Sequence, residues 1–122
     1  VRLNGGESTI EGSQFSFDGG TGVILRTGVS KGKVALSDGT IRSDAAVLIQ
    51  ASTTGVEGVA VVTKAEITAA GAIRVETGGL GNTEILDSRL TSNTLIRFLT
   101  GSGGSCKSQN NVLTAPTLQV CQ

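Results

Sequence analysis

Apolar residues recur along this chain at a nearly constant step of about 25 residues, and this repeat restricts the possible folds more than any other feature. Three columns of aligned, mostly apolar positions show it. The first two take the same four steps along the chain, and the third differs from them only in its first step. A repeat of this length with short strands inside it is typical of one coil of a β-solenoid. The columns are Ile10, Leu36, Val62, Ile85 and Ser108; Phe15, Ile41, Ile67, Leu90 and Leu113; and Leu25, Ile49, Val75, Phe98 and Cys121.

Inside each repeat, apolar residues alternate with polar or outward-facing ones. Val23 and Leu25 point one way and Ile24 the other, which is the period of a strand with one buried face. Clusters of Gly, Ser, Asn and Asp separate these strands and indicate corners. We therefore predict an all-β fold, a parallel, right-handed β-helix of about five coils with roughly three short strands per coil. A sandwich would not keep such columns along the whole chain, and no helical apolar stripe is present.

The amino-acid composition agrees with a stack of coils that have small side chains in the core. The 122 residues include 18 glycines, and three phenylalanines are the only aromatic residues. The formal net charge is zero, and no run of like charge is present, which argues against a nucleic-acid partner. Two stretches make some coils longer, Thr27 to Lys33 and Ala51 to Gly58, and we expect them to be loops between strands.

The two cysteines both fall in inward columns of the last coil. Cys106 lies one repeat after Thr83, and Cys121 ends the third column. A disulfide between them would close that coil and stabilise it by roughly 3 kcal/mol in the chain-entropy description. It would also imply an oxidising compartment, whereas two reduced core cysteines are the alternative. We divide the chain into solenoid coils over 1–105, expected to continue from coils upstream, and a closed coil over 106–122.

The sequence offers little sign of catalytic or metal chemistry. Because the chain has no histidine, His-based triads and metal sites are excluded, and two cysteines cannot complete a zinc site. We predict no enzyme activity and no cofactor. The carboxylates are expected to be scattered over several columns: Asp38, Asp44, Glu66, Glu76 and Asp87.

The coil sequence "LSDGTIRSDAAVLIQAS" (Leu36 to Ser52), together with the cysteine pair, resembles the end of a filamentous-haemagglutinin-like exoprotein of two-partner secretion in Gram-negative bacteria. The resemblance implies a secreted adhesin at the outer-membrane surface, with a role in biofilms. Cys106 and Cys121 would form a hook that holds the chain in its outer-membrane transporter. A polysaccharide or a host-cell surface ligand is the further partner that the resemblance implies.

A second short motif follows from the same resemblance. Some hooked adhesins are released by a protease that cuts a Thr-Ala-Ala-Gly sequence, and Thr68, Ala69, Ala70 and Gly71 match it. The same positions align with "IRSDA" and "LTSNT" in neighbouring coils, so a strand entering a corner also explains them.

Our leading hypothesis is a structural or adhesive rod, the C-terminal part of a large surface exoprotein, anchored or capped by the disulfide. A self-assembling filament subunit that associates head to tail is the first alternative. A fragment of a carbohydrate-active β-helix enzyme is the second.

Overall fold

The computed structural model describes residues 2–5, 9–13, 16–20, 22–27, 32–51, 58–78, 80–101 and 103–121. These residues form strands, turns and bends, without a helix. The strands, in chain order, are β1 (Arg2–Gly5), β2 (Thr9–Ser13), β3 (Ser16–Gly19), β4 (Val23–Thr27), β5 (Lys33–Ser43), β6 (Val47–Ala51), β7 (Val59–Ala69), β8 (Ile73–Thr77), β9 (Asn82–Leu86), β10 (Arg89–Ser92), β11 (Leu95–Thr100), β12 (Ser105–Gln109), β13 (Val112–Thr114) and β14 (Thr117–Val120).

The strands stack into two parallel sheets that the chain visits alternately. The first sheet, sheet A, has six strands in the order β1-β4-β6-β8-β11-β14. The second, sheet B, has eight strands, in which β2 and β3 stack on β5, β5 on β7, β7 on β9 and β10, and these on β12 and β13. Strands of successive coils therefore lie directly over one another, and the predicted parallel β-solenoid is confirmed.

The prediction of three strands per coil is confirmed in the coils where a corner divides the sheet B segment into two strands. In the coils of β9 with β10 and of β12 with β13, two short strands lie on either side of a corner. In the two middle coils the same path is one continuous strand of 11 residues, β5 or β7. The corner remains, but the backbone passes through it without a break in the strand.

The register matches the predicted columns through the middle coils. Leu36, Val62, Ile85 and Ser108 stack in one column, and Ile41, Ile67, Leu90 and Leu113 stack in a second. Most of these side chains are fully buried. Their apolar members form one continuous core between the sheets, together with Val34, Val47, Ile49, Ile73, Val75, Ile96 and Phe98.

The register predicted for the first coil is wrong by two residues. Ile10 pairs with Val34 rather than Leu36, and Phe17 takes the place beside Ile41 that we expected for Phe15. Phe15 itself lies outside the described residues. Side chains of a strand alternate with a period of two, so a slip of two residues keeps the same face inward and the pattern alone cannot detect it.

In the last coil, the predicted register is wrong by one residue on sheet A only. Phe98 pairs with Val120, not with Cys121. The N–H of Cys121 donates to the carbonyl of Phe98 at 2.9 Å, and the φ of Cys121 is +54°. This left-handed backbone immediately after the strand lets the cysteine pack against the core although it follows an inward residue.

The corner that follows β3, β5, β7 and β10, here called the serine corner, is formed by one column of small residues. Gly19, Ser43, Ala69 and Ser92 stack there, one from each coil. The buried hydroxyl of Ser92 accepts hydrogen bonds from the N–H groups of Thr94 and Leu95, at 3.0 and 3.1 Å. Small residues fit here because the serine hydroxyl satisfies the backbone of the turn that follows.

Threonine and glycine form the opposite corner, where the chain passes from sheet A to sheet B. The hydroxyls of Thr77 and Thr83 lie 3.0 Å apart, and Thr100 donates to Thr83 at 2.8 Å. A Cβ atom on Gly81 would lie 2.7 Å from the Cβ of Thr77 and 2.8 Å from the carbonyl oxygen of Gly58. The close approach of successive coils at this corner therefore requires glycine.

Candidate functional sites, a corner groove and a cross-linked coil

A second corner lies within sheet B and is built from residues with left-handed backbone. The φ angles of Asp38, Lys64, Asp87 and Asn110 are 53°, 51°, 52° and 55°. The strand registers on either side of these residues place them in one column, one residue per coil. Aspartate and asparagine tolerate this conformation better than most residues, which explains three of the four. Because the bend repeats in each coil, it forms a concave strip on the outer surface that runs parallel to the solenoid axis.

The concave surface is an open groove of about 590 Å³. Beside the left-handed column runs a second column, formed by Thr40, Glu66, Arg89 and Val112. The groove crosses four coils, so with a spacing of about 4.8 Å between strands it is roughly 14 Å long. Its lining residues are Asp38, Gly39, Thr40, Lys64, Ala65, Glu66, Asp87, Ser88, Arg89, Asn110 and Val112.

The groove brings together charges that we expected to be scattered. Asp38, Glu66 and Asp87 all line it, together with the cations Lys64 and Arg89. Among the described residues, none of these five side chains takes part in an ion pair within 4.0 Å or in a side-chain hydrogen bond. Asp38 and Asp87 share the left-handed column, and Glu66 lies in the column beside it. The carboxylates thus occupy several columns as expected, but two of these columns are neighbours and bring three carboxylates to one surface.

The remaining two predicted carboxylates lie elsewhere. Asp44 follows β5 at the serine corner, and Glu76 lies on sheet A, where it pairs with Arg74 at 3.7 Å. Within the part of the chain that the structure describes, no group of three or more acidic or cysteine residues is arranged to hold a metal ion.

Hydrogen bonds behind the groove hold its floor in place. The N–H of Ala65 donates to the hydroxyl of Ser88 at 3.2 Å, and that hydroxyl donates to the carbonyl of Leu86 at 2.9 Å. Asn111 accepts from the N–H of Ser88 at 2.9 Å and donates to the carbonyl of Ile85 at 2.8 Å. Asn111, which the sequence analysis did not single out, thus links two coils beneath the groove.

The cysteine pair forms the predicted disulfide. Cys106 in β12 and Cys121 after β14 are bonded, with their Cα atoms 5.2 Å apart. Both side chains are partly buried against the core. Because β12 belongs to sheet B and Cys121 follows a strand of sheet A, the bond joins the two sheets within one coil.

Within the described residues, the cross-linked coil has a neighbouring coil on one side only. Its strands β12, β13 and β14 pair with β9, β10 and β11 and with no other described strand. Val112 is 55% exposed and Leu118 is 45% exposed, although Leu118 lies over the buried Ile96. Lys107 is the only charged residue between positions 105 and 121. This coil therefore presents an almost uncharged edge.

The Thr68–Gly71 motif lies inside the stacked region. Thr68 and Ala69 belong to β7 and pair with β5 on one side and β10 on the other. The N–H of Ala70 donates to the carbonyl of Ser43 at 3.1 Å, and the hydroxyl of Ser92 donates to the carbonyl of Gly71 at 2.7 Å. Cleavage here would require this segment to detach from the coils on both sides, and release by a protease stays a prediction.

No protein-family model matches the chain, and comparisons with curated proteins and with solved structures found no significant similarity. Among the described residues there is also no helix of the length and hydropathy that a membrane span needs.

Proposed function

We propose that this chain is a structural rod from an exported surface protein and that its disulfide fixes one coil of the rod. The observation that carries this proposal is the Cys106–Cys121 bond, which ties sheet A to sheet B within one coil. Such bonds persist in oxidising compartments and are rare where glutathione keeps thiols reduced. This disulfide, the only covalent cross-link among the described residues, therefore supports export to an oxidising compartment.

The fold supports a mechanical role for the rod. Each middle coil pairs along both sheets with the coil before and the coil after it, all in parallel register. A stack of this kind transmits force along its axis through backbone hydrogen bonds and a continuous apolar core, and its length grows with the number of coils. Its function would come from reach and stiffness at the cell surface.

The resemblance to filamentous-haemagglutinin-like exoproteins makes the proposal more specific. In that setting the cross-linked coil would be too bulky to follow the unfolded rod through the outer-membrane transporter, so the protein would stay on the surface. A reduced coil would pass through as an extended chain. The retention of the protein would thus depend on the two cysteines.

Fusion of this chain to the C-terminus of a reporter exoprotein with its own transporter tests the proposal. We expect the fusion to remain cell-associated, and the Cys106→Ser, Cys121→Ser double variant to appear in the medium. Lys107→Gln, which changes the same strand without touching the disulfide, is the matched control and should be retained. Equal release of the parent and the double variant would refute the hook.

A filament subunit is the second candidate, and the exposed edge of the cross-linked coil favours it. Among the described residues, β12, β13 and β14 have a partner on one side only, and Val112 and Leu118 are exposed, so this edge can add a strand from another molecule. We expect light scattering to show assembly that rises with concentration, and Leu118→Lys to suppress it. A particle of one mass at every concentration would count against the filament.

A further inference from the structure

We propose that the corner groove binds an uncharged, hydroxyl-rich oligosaccharide that lies along the solenoid axis. The inference does not depend on export or on the disulfide hook, because it uses only the residues of sheet B. Its basis is the shape of the groove, the chemistry of its lining and the balance of its charges.

The shape selects an extended ligand. The groove is long and open, and each coil adds one residue to the left-handed column and one to the column beside it. Equivalent backbone positions therefore repeat at about 4.8 Å along the axis. A linear polymer can meet a polar group at each step, whereas a compact ligand would use only one or two coils.

The side chains suit hydroxyl groups. Asp38, Glu66 and Asp87 can accept hydrogen bonds, Lys64 and Arg89 can donate them, and none of the five is engaged with another side chain in the described structure. Hydrogen bonds that include a charged partner are stronger than neutral ones. Neighbouring sugar hydroxyls both donate and accept, so they can use carboxylates and cations in turn.

The balance of charges argues against a charged polymer. Among the described residues, three carboxylates and two cations line the groove. The two signs lie in neighbouring positions of the same coils, as at Lys64 with Glu66 and Asp87 with Arg89. A polyanion would meet the carboxylates and a polycation would meet Lys64 and Arg89. A neutral ligand avoids both penalties.

None of the described residues that line the groove is aromatic, so a sugar ring has no side chain there on which to stack. We therefore expect weak binding by a single groove, with a dissociation constant of the order of 1 mM. Several grooves on neighbouring molecules could bind one polymer together, which raises the effective affinity without new contacts.

Amide NMR titration of the whole chain tests the proposal. The probes are maltohexaose, cellohexaose and chitohexaose, with hexagalacturonate as the charged comparison. We expect at least one neutral probe to shift the amides of residues 38–40, 64–66 and 87–89. The Glu66→Thr and Arg89→Thr variants should each weaken this binding by about tenfold. Both positions have ordinary strand backbone, so threonine keeps the fold.

Arg74→Thr is the matched control, because it removes an exposed arginine from sheet A and should leave binding unchanged. Binding of the neutral probe should also be insensitive to salt, since it involves no ion pair. The proposal is overturned if no neutral probe shifts the groove amides, if Arg74→Thr weakens binding as much as Arg89→Thr, or if hexagalacturonate binds more tightly.

Discussion

Replacement of both cysteines, Cys106→Ser with Cys121→Ser, is expected to release the cross-linked coil while the middle coils stay folded. The 15-residue separation lies wholly within this coil, so the bond restricts the state in which that coil alone has opened. The chain-entropy description gives about 3 kcal/mol for a loop of this size. A stack of coils loses stability locally, since each coil contacts only its neighbours.

Hydrogen exchange of the backbone amides is the assay. A loss of about 3 kcal/mol corresponds to roughly a hundredfold faster exchange, and we expect it in β12, β13 and β14. Amides of β5 to β8 should keep their protection. Reduction of the parent chain should reproduce the effect, and the double variant should not respond to the reductant. Unchanged exchange in β14, or an equal loss along the whole chain, would refute the reasoning.

Three further substitutions test the corners and the core. Gly81→Ala should destabilise by about 1–3 kcal/mol, measured by urea unfolding, because its Cβ meets backbone and Thr77, whereas Gly20→Ala has nothing within 4 Å and should be nearly neutral. Phe98→Ala should cost about 3–5 kcal/mol, because Phe98 is fully buried, and a loss below about 1 kcal/mol would contradict a packed core at that layer. Asp87→Val should cost about 1–2 kcal/mol more than Asp87→Asn by thermal unfolding, because a β-branched residue resists the left-handed backbone.

The stacked core could be predicted from sequence because its spacing is nearly constant. Leu36, Val62 and Ile85 are apolar, alternate with outward residues and recur once in each coil. The first coil was predicted two residues out of register because Ile10 satisfies the same alternation in either position. The pairing of Phe98 with Val120 breaks the constant step, and the left-handed backbone that lets Cys121 reach the core after Val120 leaves no signal in the apolar pattern.

The groove escaped prediction for a related reason. Asp38, Lys64, Asp87 and Asn110 recur at the same steps along the chain as the core columns. That spacing was the available signal, but the four residues differ in charge and size, and a search for shared apolar character passes over them. The four residues share a left-handed backbone conformation. A lysine such as Lys64 gives no sign of this conformation in the sequence, because lysine is not enriched in it.

The unequal lengths of the coils indicate where the rod accepts foreign sequence. The serine corner keeps nearly the same length from coil to coil, but the passage from Ala51 to Val59 is three residues longer than the equivalent passage from Thr77 to Asn82, and the strands on both sides remain in register. Residues 52–57 of the predicted loop lie outside the described residues, but the strands that flank them keep their register. A peptide epitope or affinity tag inserted between Ala51 and Val59 is therefore expected to leave the sequence and stacking of the other coils unchanged, which suits the chain to use as a scaffold.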